Sequence, residues 1–540
     1  MSHIAGTRWL RVAGSLLTIS AVIAATPAMR SAVPAHAAGQ SLVISTNISD
    51  GKTMDPGHAY EFASSAMATN CYDSLVTYVG NDTIHLKPNL ATSWTTSADG
   101  KVYTFMLRHN VKFASGNPMT AADVVFSYLR LKYLNDNPSF LVSGVSGIKA
   151  VDPYTVQITL GAPDASFLSA MTGTNLAVLD SKLVIAHGGD ASPDAAKKDK
   201  AQSFLDTQSA GTNAFQMTNW TRNVQIVMDR NPNYWGAKPF FAKVVFQHQK
   251  NAATQRLLVQ RGAVDGATDI NIQEVQSLIH DPSVQVIQGN TLNLVYMGMT
   301  TSAAISKPLA NPRVRQAIRY AIDYDGILKG LLKGVGTRPN SMIPVGMLGN
   351  DTATNNALLI HTDLAKARAL LKAAGYANGF SVTMGYDVGI TYDGVSYDPL
   401  SAKIQNDLAK VGIKVTLDPE QDTVLLTKYR AQKLQMILYN WGVDYPDPND
   451  YSGPFSPGGG PAKRMLFTWD KTLTGVVNMA DSTTDLAKRT ALYRTVQQTW
   501  LAEGPWIGLV QPQNIVVLSS KVKGYTYSPI NPFDFRKTSM

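Results

Sequence analysis

The sequence predicts an α/β protein of more than one folded unit, and three observations lead there. Its 540 residues exceed what one domain holds, at roughly 100 to 200 residues each. From residue 291 onward, helical and strand periodicities alternate, the pattern of an α/β unit with a largely open sheet. Beyond the first 38 residues no apolar run approaches the roughly 20 needed to span a bilayer, so the body of the chain is not expected to sit in a membrane. Hydrophobic residues make up 44% and charged residues 16%. The latter is below the roughly 25% usual for soluble domains, and together they exclude a disordered or coiled-coil chain.

The chain starts with a leader. Arg8 and Arg11 precede the apolar stretch Val12 to Ala25, and Ala35-His36-Ala37 supplies a small-x-small cleavage signal, the three parts of a secretory signal peptide. Cleavage is expected near Ala37. No cysteine stands there, so no lipid can be attached, and the mature protein is expected to be free in the periplasm.

A strand at Ser41 to Ser45 follows, then the turn-rich Asp50 to Gly57 and a helical stretch through Asn70. Tyr103, Phe105 and Leu107 alternate with polar neighbours, His109-Asn110 marks a turn, and Val111 and Phe113 resume the alternation, which predicts a hairpin. Thr120 with Asp123 is a capping box for a helix with Val124, Val125, Tyr128 and Leu129 on its apolar face. Gly188 to Lys200 is polar and loop-like. Strands at Gln225 to Met228 and Lys243 to Gln247 precede a helix, Ala252 to Arg261, and a boundary is expected near Gly289 to Thr291.

In the next unit, Asn311-Pro312 is an N-cap with proline in the first turn, and Val314, Ile318 and Ala321 share a face. Leu364, Ala367, Leu370 and Leu371 form a second stripe, and Ile404, Leu408 and Val411 a third. Phe380 to Tyr386, Ile413 to Leu417 and Gln435 to Tyr439 are strands. Trp506 to Leu518 returns to strand character, so the chain is expected to cross back into the first unit there.

Net charge is +9, but Arg8, Arg11 and Arg30 lie in the leader, and the remaining bases are spread among acids. A nucleic-acid binder gathers them on one element. Cys71 is the lone cysteine, so neither an intrachain disulfide nor a thiolate metal cluster is possible. The histidines His58, His85, His109, His187, His248, His280 and His361 show no i, i+4 or His-x-His pair, so no metal site is expected. No Gly-x-x-x-x-Gly-Lys-Ser/Thr loop exists to cradle a nucleotide, and no Gly-x-Ser-x-Gly elbow. Ser520 with Lys523 has serine-lysine spacing by chance. No catalytic residue and no cofactor are expected. An exported hydrolase, the contrasting class, needs a nucleophile with its base or paired carboxylates, and neither stands at recognisable spacing.

The segment after Gln435 to Tyr439 differs. Asn440-Trp441-Gly442-Val443-Asp444 puts an aromatic ring, a glycine that permits close backbone approach and a carboxylate at a strand's end, where open α/β sheets bind ligands. Asp444 suits a primary ammonium; it would equally cap the turn made by Pro446 and Pro448, and Trp441 would equally be core. Gly458-Gly459-Gly460 reads as a flexible loop, and Lys463-Arg464 as a solvated pair.

Taken in order, several motifs resemble one family over nearly the whole mature chain. These are Leu90-Ala91-Thr92-Ser93-Trp94, Asp99 to Phe105, Leu107-Arg108, Val111-Lys112-Phe113, Thr120 to Ser127, Arg230 to Trp235, Asn311 to Ile318, and Ala374-Gly375-Tyr376 with Asn378-Gly379-Phe380. The family is the family 5 solute-binding proteins of oligopeptide and dipeptide ABC importers. The resemblance implies a two-lobed periplasmic-binding-protein type II fold with an extra inserted domain. Lobe I would take residues 38–85, 200–290 and 506–540, the insertion 86–199, and lobe II 291–505. It also implies a monomer that captures a short peptide between its lobes and delivers it to permease subunits driven by separate ATPase subunits, with only peripheral membrane contact. Asp444 would hold the peptide's α-amino group, with Asn440, Trp441 and Gly442 beside it. Two departures stand out. Gly211-Thr212-Asn213-Ala214-Phe215 replaces a Gly-Thr-Gly-Pro-Phe turn, and Met436, Ile437 and Leu438 leave no arginine before the tryptophan for the ligand's carboxylate. The same family includes binders of nickel complexes, haem, glutathione, opines and oligosaccharides, so a non-peptide solute is the alternative.

Overall fold

Residues 41–350, 356, 359–468 and 470–540 are described by the computed structural model; the expected leader lies outside them. Three sheets organise the chain. The first orders its seven strands as Val284–Asn290, Gln513–Ser519, Gly266–Ala267, Ser41–Thr46, Lys243–His248, Gln225–Arg230 and Phe215–Thr221. Its centre is parallel, Ser41–Thr46 running with both Lys243–His248 and Gly266–Ala267. Gly266 is needed there, since a Cβ would stand 2.6 Å from the Leu518 side chain and 2.8 Å from that of Ile44.

The second sheet orders five strands as Ile413–Glu420, Phe380–Asp387, Met436–Trp441, Leu294–Met299 and Trp506–Val510. The first three are parallel, and Leu294–Met299 is antiparallel to both its neighbours. Alternate side chains serve opposite faces, as the pleat requires. Met297, Met299, Met384 and Leu438 pack with Val314, Ile318, Leu371 and Ile404 of the helices Pro312–Ala321, Leu364–Ala373 and Tyr397–Ala409. Tyr296 and Ile437 pack with Tyr451, Phe455, Tyr493 and Trp500 on the other. Covered on both faces, Leu294–Met299 is buried throughout, which is why it reads as a continuous apolar run.

The third sheet, Ala91–Thr96, Val102–Leu107, Thr155–Leu160 and Val145–Asp152, is antiparallel throughout. The expected hairpin from Val102–Leu107 into Val111 and Phe113 does not form. Both edges of Val102–Leu107 are already paired, so Val111 and Phe113 turn back on their own loop through Phe113 N to Asn117 O at 2.9 Å and Met119 N to Val111 O at 3.0 Å. The capping box forms, Asp123 taking the Thr120 N–H at 2.7 Å ahead of the helix Ala121–Leu134. From that helix Arg130 reaches Asp55 with two bonds of 2.8 and 2.6 Å and Asp199 with two of 2.7 and 2.9 Å, and so fixes the turn Asp50–Gly57.

The chain crosses between the first two sheets at Asn290–Thr291 and again at Gln511–Pro512. Trp506–Val510 pairs with Leu294–Met299 in the second sheet, and only Gln513–Ser519 rejoins the first. The return therefore falls later than residue 506, because Pro512 has no N–H and interrupts what reads as one strand. The glycine run also differs from the flexible loop expected: Gly460 opens the short helix Gly460–Arg464, and a Cβ on Gly459 would stand 2.2 Å from the Gly453 carbonyl. No helix among the described residues is long and apolar enough to cross a membrane.

Candidate functional site

The strand Met436–Trp441 ends at Gly442, and the turn through Pro446 and Pro448 leads into the helix Asn449–Phe455. Asp444 lies in this turn. Its N–H donates to Asp450 Oδ2 at 3.0 Å, so the helix's first turn anchors it from behind. Its own carboxylate accepts the Tyr60 hydroxyl at Oδ1. Tyr60 stands just past the turn that Arg130 holds, the residue 44% exposed and its ring edge-on to Phe140 at 6.2 Å.

These residues face a cavity of about 570 Å³. Residues 60–62, 65, 66, 69, 172–175 and 529–533 line one side and residues 392–393 and 441–446 another, with Thr291, Asn293 and Asn514 at the crossings. That size suits a small organic ligand. Trp441 lines it and also packs edge-on against Phe455 at 5.2 Å, so it serves wall and core together. Gly442 lines it too, and a Cβ there would press on the Tyr392 hydroxyl at 3.2 Å. Asn440 is not among the lining residues; its side chain accepts the Tyr397 hydroxyl at 3.0 Å. Lys463 and Arg464 are also absent from the lining, and Arg464 lies over the Tyr429 ring at 5.2 Å.

Burial governs the electrostatics. Asp444 is pushed above the ordinary carboxylate range by loss of water, with the Tyr60 hydroxyl pulling the other way. Asp450 is pushed much further, first by burial and then by the Asp444 charge. The Trp441 indole N–H, buried and without a hydrogen bond of normal geometry, lies close enough to Asp450 to oppose that rise weakly. Asp393, also lining the cavity, is raised by burial and accepts the Asn293 amide at 2.7 Å. Carboxylates stripped of water in this way are stabilised by a cation. Among the described residues no cluster of three or more His, Cys, Asp or Glu side chains is arranged to hold a metal ion.

Of the lining residues that the sequence did not announce, two bear on the charge of the site. Tyr60 meets Asp444 across 384 positions, and nothing local to either announces it. Asp393 had a signal: Asp393-Gly394 sits between Tyr392 and Val395, which pair, and both turn residues have positive φ, 44° and 80°. Asp-Gly between strand-forming residues is the mark of a tight hairpin.

The chain matches the model of the bacterial extracellular solute-binding proteins, family 5, over residues 85–463. It is 27% identical over 521 residues to the probable D,D-dipeptide-binding periplasmic protein DdpA of Escherichia coli K12, covering 95% of this chain and 96% of the other. It is 26% identical over 486 residues to the heme-binding protein A of Haemophilus influenzae, covering 86% of each. Among solved structures, the periplasmic binding protein DppA of Helicobacter pylori in complex with the peptide STSA superposes with a TM-score of 0.74 at 28% identity, covering 93% of this chain and 98% of that one. The sheets described above are accordingly those of a two-lobed α/β fold of the type II periplasmic binding proteins. The chain belongs to the bacterial extracellular solute-binding proteins of family 5.

Proposed function

We propose that this protein is the periplasmic substrate-binding component of a peptide ABC importer. It takes a short peptide into the cavity and passes it, unaltered, to permease subunits driven by separate ATPase subunits. The observation that carries this reading is Asp444: a carboxylate on a turn fixed by Asp450, facing a cavity of about 570 Å³ with its charge deprived of water. A peptide's free α-ammonium is the group that such a carboxylate stabilises. The relatives that bind dipeptides or peptides by name agree with it.

The lobes we propose follow the sheets. Lobe I combines 38–85, 200–290 and the chain end from Gln513; residues 86–199 form the insertion; lobe II runs from 291 through the strand Trp506–Val510. Extended peptides pair their backbone with strand edges and loops whatever their side chains, and bridging waters fill the rest at little loss. Asp444 then supplies the requirement for a free amine, with Trp441 and Gly442 forming the adjoining wall. Asn440 acts one step back, through Tyr397.

Calorimetry with free and N-acetylated di- to pentapeptides tests this on wild type and Asp444→Ala. Free peptides are expected to bind wild type, and both acetylation and the substitution to cost about 3–5 kcal/mol, the penalty for one partner of a buried charge pair left alone. Equal binding in all four combinations would remove the amine clamp. If no peptide binds, native mass spectrometry of the protein from its own host identifies the solute instead, and peptide fragments recovered after incubation would point to a hydrolase.

A further inference from the structure

The charges that line the cavity are of one sign. Among the described lining residues the ionisable acids are Glu61, Asp393 and Asp444, and there is no Lys, Arg or His. Glu61 is balanced by Lys52 at 2.9 Å. Among the described residues, Asp444 has only the neutral Tyr60 hydroxyl on its carboxylate, and Asp393 only the Asn293 amide. Behind Asp444 stands a further acid, the buried Asp450.

The cation of an adjoining pocket does not alter this balance. Arg536 lines a small adjoining pocket that shares Thr69, Thr172 and Asn531 with the main cavity. Its guanidinium already makes two bonds to Asp534, at 2.8 and 2.6 Å, and lies 3.7 Å from Asp73. One base facing two acids has no positive charge left for a ligand.

The walls point the same way independently. Tyr60, Phe62, Tyr392, Trp441, Tyr445 and Phe533 line the cavity, and aromatic faces attract cations and repel anions. A carboxylate carried inside would lose its water and find two unpaired acids, whereas a second positive group would find Asp393 waiting.

We propose that the ligand brings two positive groups and no carboxylate into this cavity: one ammonium meets Asp444, the second meets Asp393, and any carboxyl group is either capped or left outside. The preferred class is a basic peptide. This deepens the peptide reading above and rests on it.

Three dipeptide probes separate the two claims by calorimetry on the whole mature protein: Lys-Ala-amide, with two ammonium groups; Ala-Ala-amide, with one; and Ala-Ala, with one ammonium and one carboxylate. Affinity is expected to fall in that order, by at least about tenfold at each step, since a charged hydrogen bond made or a charge left unpaired is worth that much. Asp393→Asn, which keeps the positive-φ turn accessible because Asn tolerates it, is expected to bring Lys-Ala-amide to within about threefold of Ala-Ala-amide. Ala-Ala binding as tightly as its amide would overturn the proposal while leaving the peptide reading intact, as would an Asp393→Asn protein that ranks the probes like wild type. No binding of any of the three would overturn both.

Discussion

Tyr60 donates its hydroxyl to the oxygen of Asp444, yet an ammonium need not displace it. A carboxylate has about four lone-pair positions, so hydroxyl and ammonium can share it. The hydroxyl's effect is to favour the charged form of Asp444 against burial, which disfavours it. This gives binding a definite dependence on pH. The unliganded carboxyl titrates above its ordinary 3.8, while an ammonium beside it would draw its pKa down. Affinity for a free-amine peptide should therefore be level from neutral pH, where the peptide's α-amine (pKa about 7.7–8.0) is charged, down to the raised value of the empty protein, and fall by up to about tenfold per unit below it. Tyr60→Phe removes a bond that lowers this pKa, so the onset of the loss moves to higher pH. Calorimetric titrations from pH 8 down to pH 4 on both proteins check this; coincident profiles would show that the hydroxyl does not tune Asp444. The same residues mark how far sequence alone could reach. Asp444 and Trp441 were visible because a turn with two prolines after a strand is a local pattern, whereas Tyr60 follows a turn held by the long-range bonds of Arg130 to Asp55 and Asp199.

At the scale of elements, the turn that carries Asp444 is held by a network that the sequence did not announce. Asp447, in that turn, receives two bonds of 2.6 and 2.7 Å from Arg489 of the helix Leu486–Ala502. Arg489 also reaches the Tyr493 hydroxyl at 2.9 Å, and Tyr493 donates to Asp481 at 3.0 Å, at the end of the helix Lys471–Ser482. Helix existence was legible from apolar stripes such as Val314, Ile318 and Ala321, because a periodicity is local; ion pairs between helices are not. The hairpin expected at Tyr103 to Phe113 failed for a related reason, since alternation says that a segment is extended but not which strands occupy its edges. Asp481 offers a test. Burial pushes its carboxyl up to about 6 against the partial help of Asn449 and Tyr493. A carboxyl raised in the folded state burdens that state when ionised, and the burden disappears as pH falls through 6 towards the unfolded value. Asp481→Asn keeps an acceptor for Tyr493 and has no charge. It is expected to stabilise the protein by about 1–3 kcal/mol at pH 7.5, with the gain vanishing near pH 4. Urea melts at both values decide it, and a variant less stable at both would mean that the charge helps Arg489 more than burial harms it.

At the scale of the whole molecule, what relates the two large sheets is a pair of crossings side by side. Thr291 N–H and hydroxyl both donate to the Pro512 carbonyl at 3.0 Å. Gln511, fully buried, donates its amide to the carbonyls of Thr291 at 2.7 Å and Val345 at 2.9 Å, and accepts the Val345 N–H at 2.9 Å. One side chain thus joins both crossings to the loop beneath them, and Thr291, Asn293 and Asn514 beside it line the cavity. Strand composition alone suggested a single element from Trp506 to Leu518; the division at Gln511–Pro512 follows from partners that lie more than 160 residues away. Gln511→Ala leaves the buried Thr291 carbonyl short of a partner, at about 1–3 kcal/mol, together with the part-buried N–H and carbonyl of Val345, and opens a space that a water can occupy if it reaches the same three groups. Without such a water, the urea midpoint should fall while the slope of the transition stays that of wild type, because the surface exposed on unfolding is unchanged. A shallower slope would reveal that the sheets had begun to unfold separately, making Gln511 the coupling between them. An unchanged midpoint would place the strength of the crossing in the Thr291–Pro512 bonds instead.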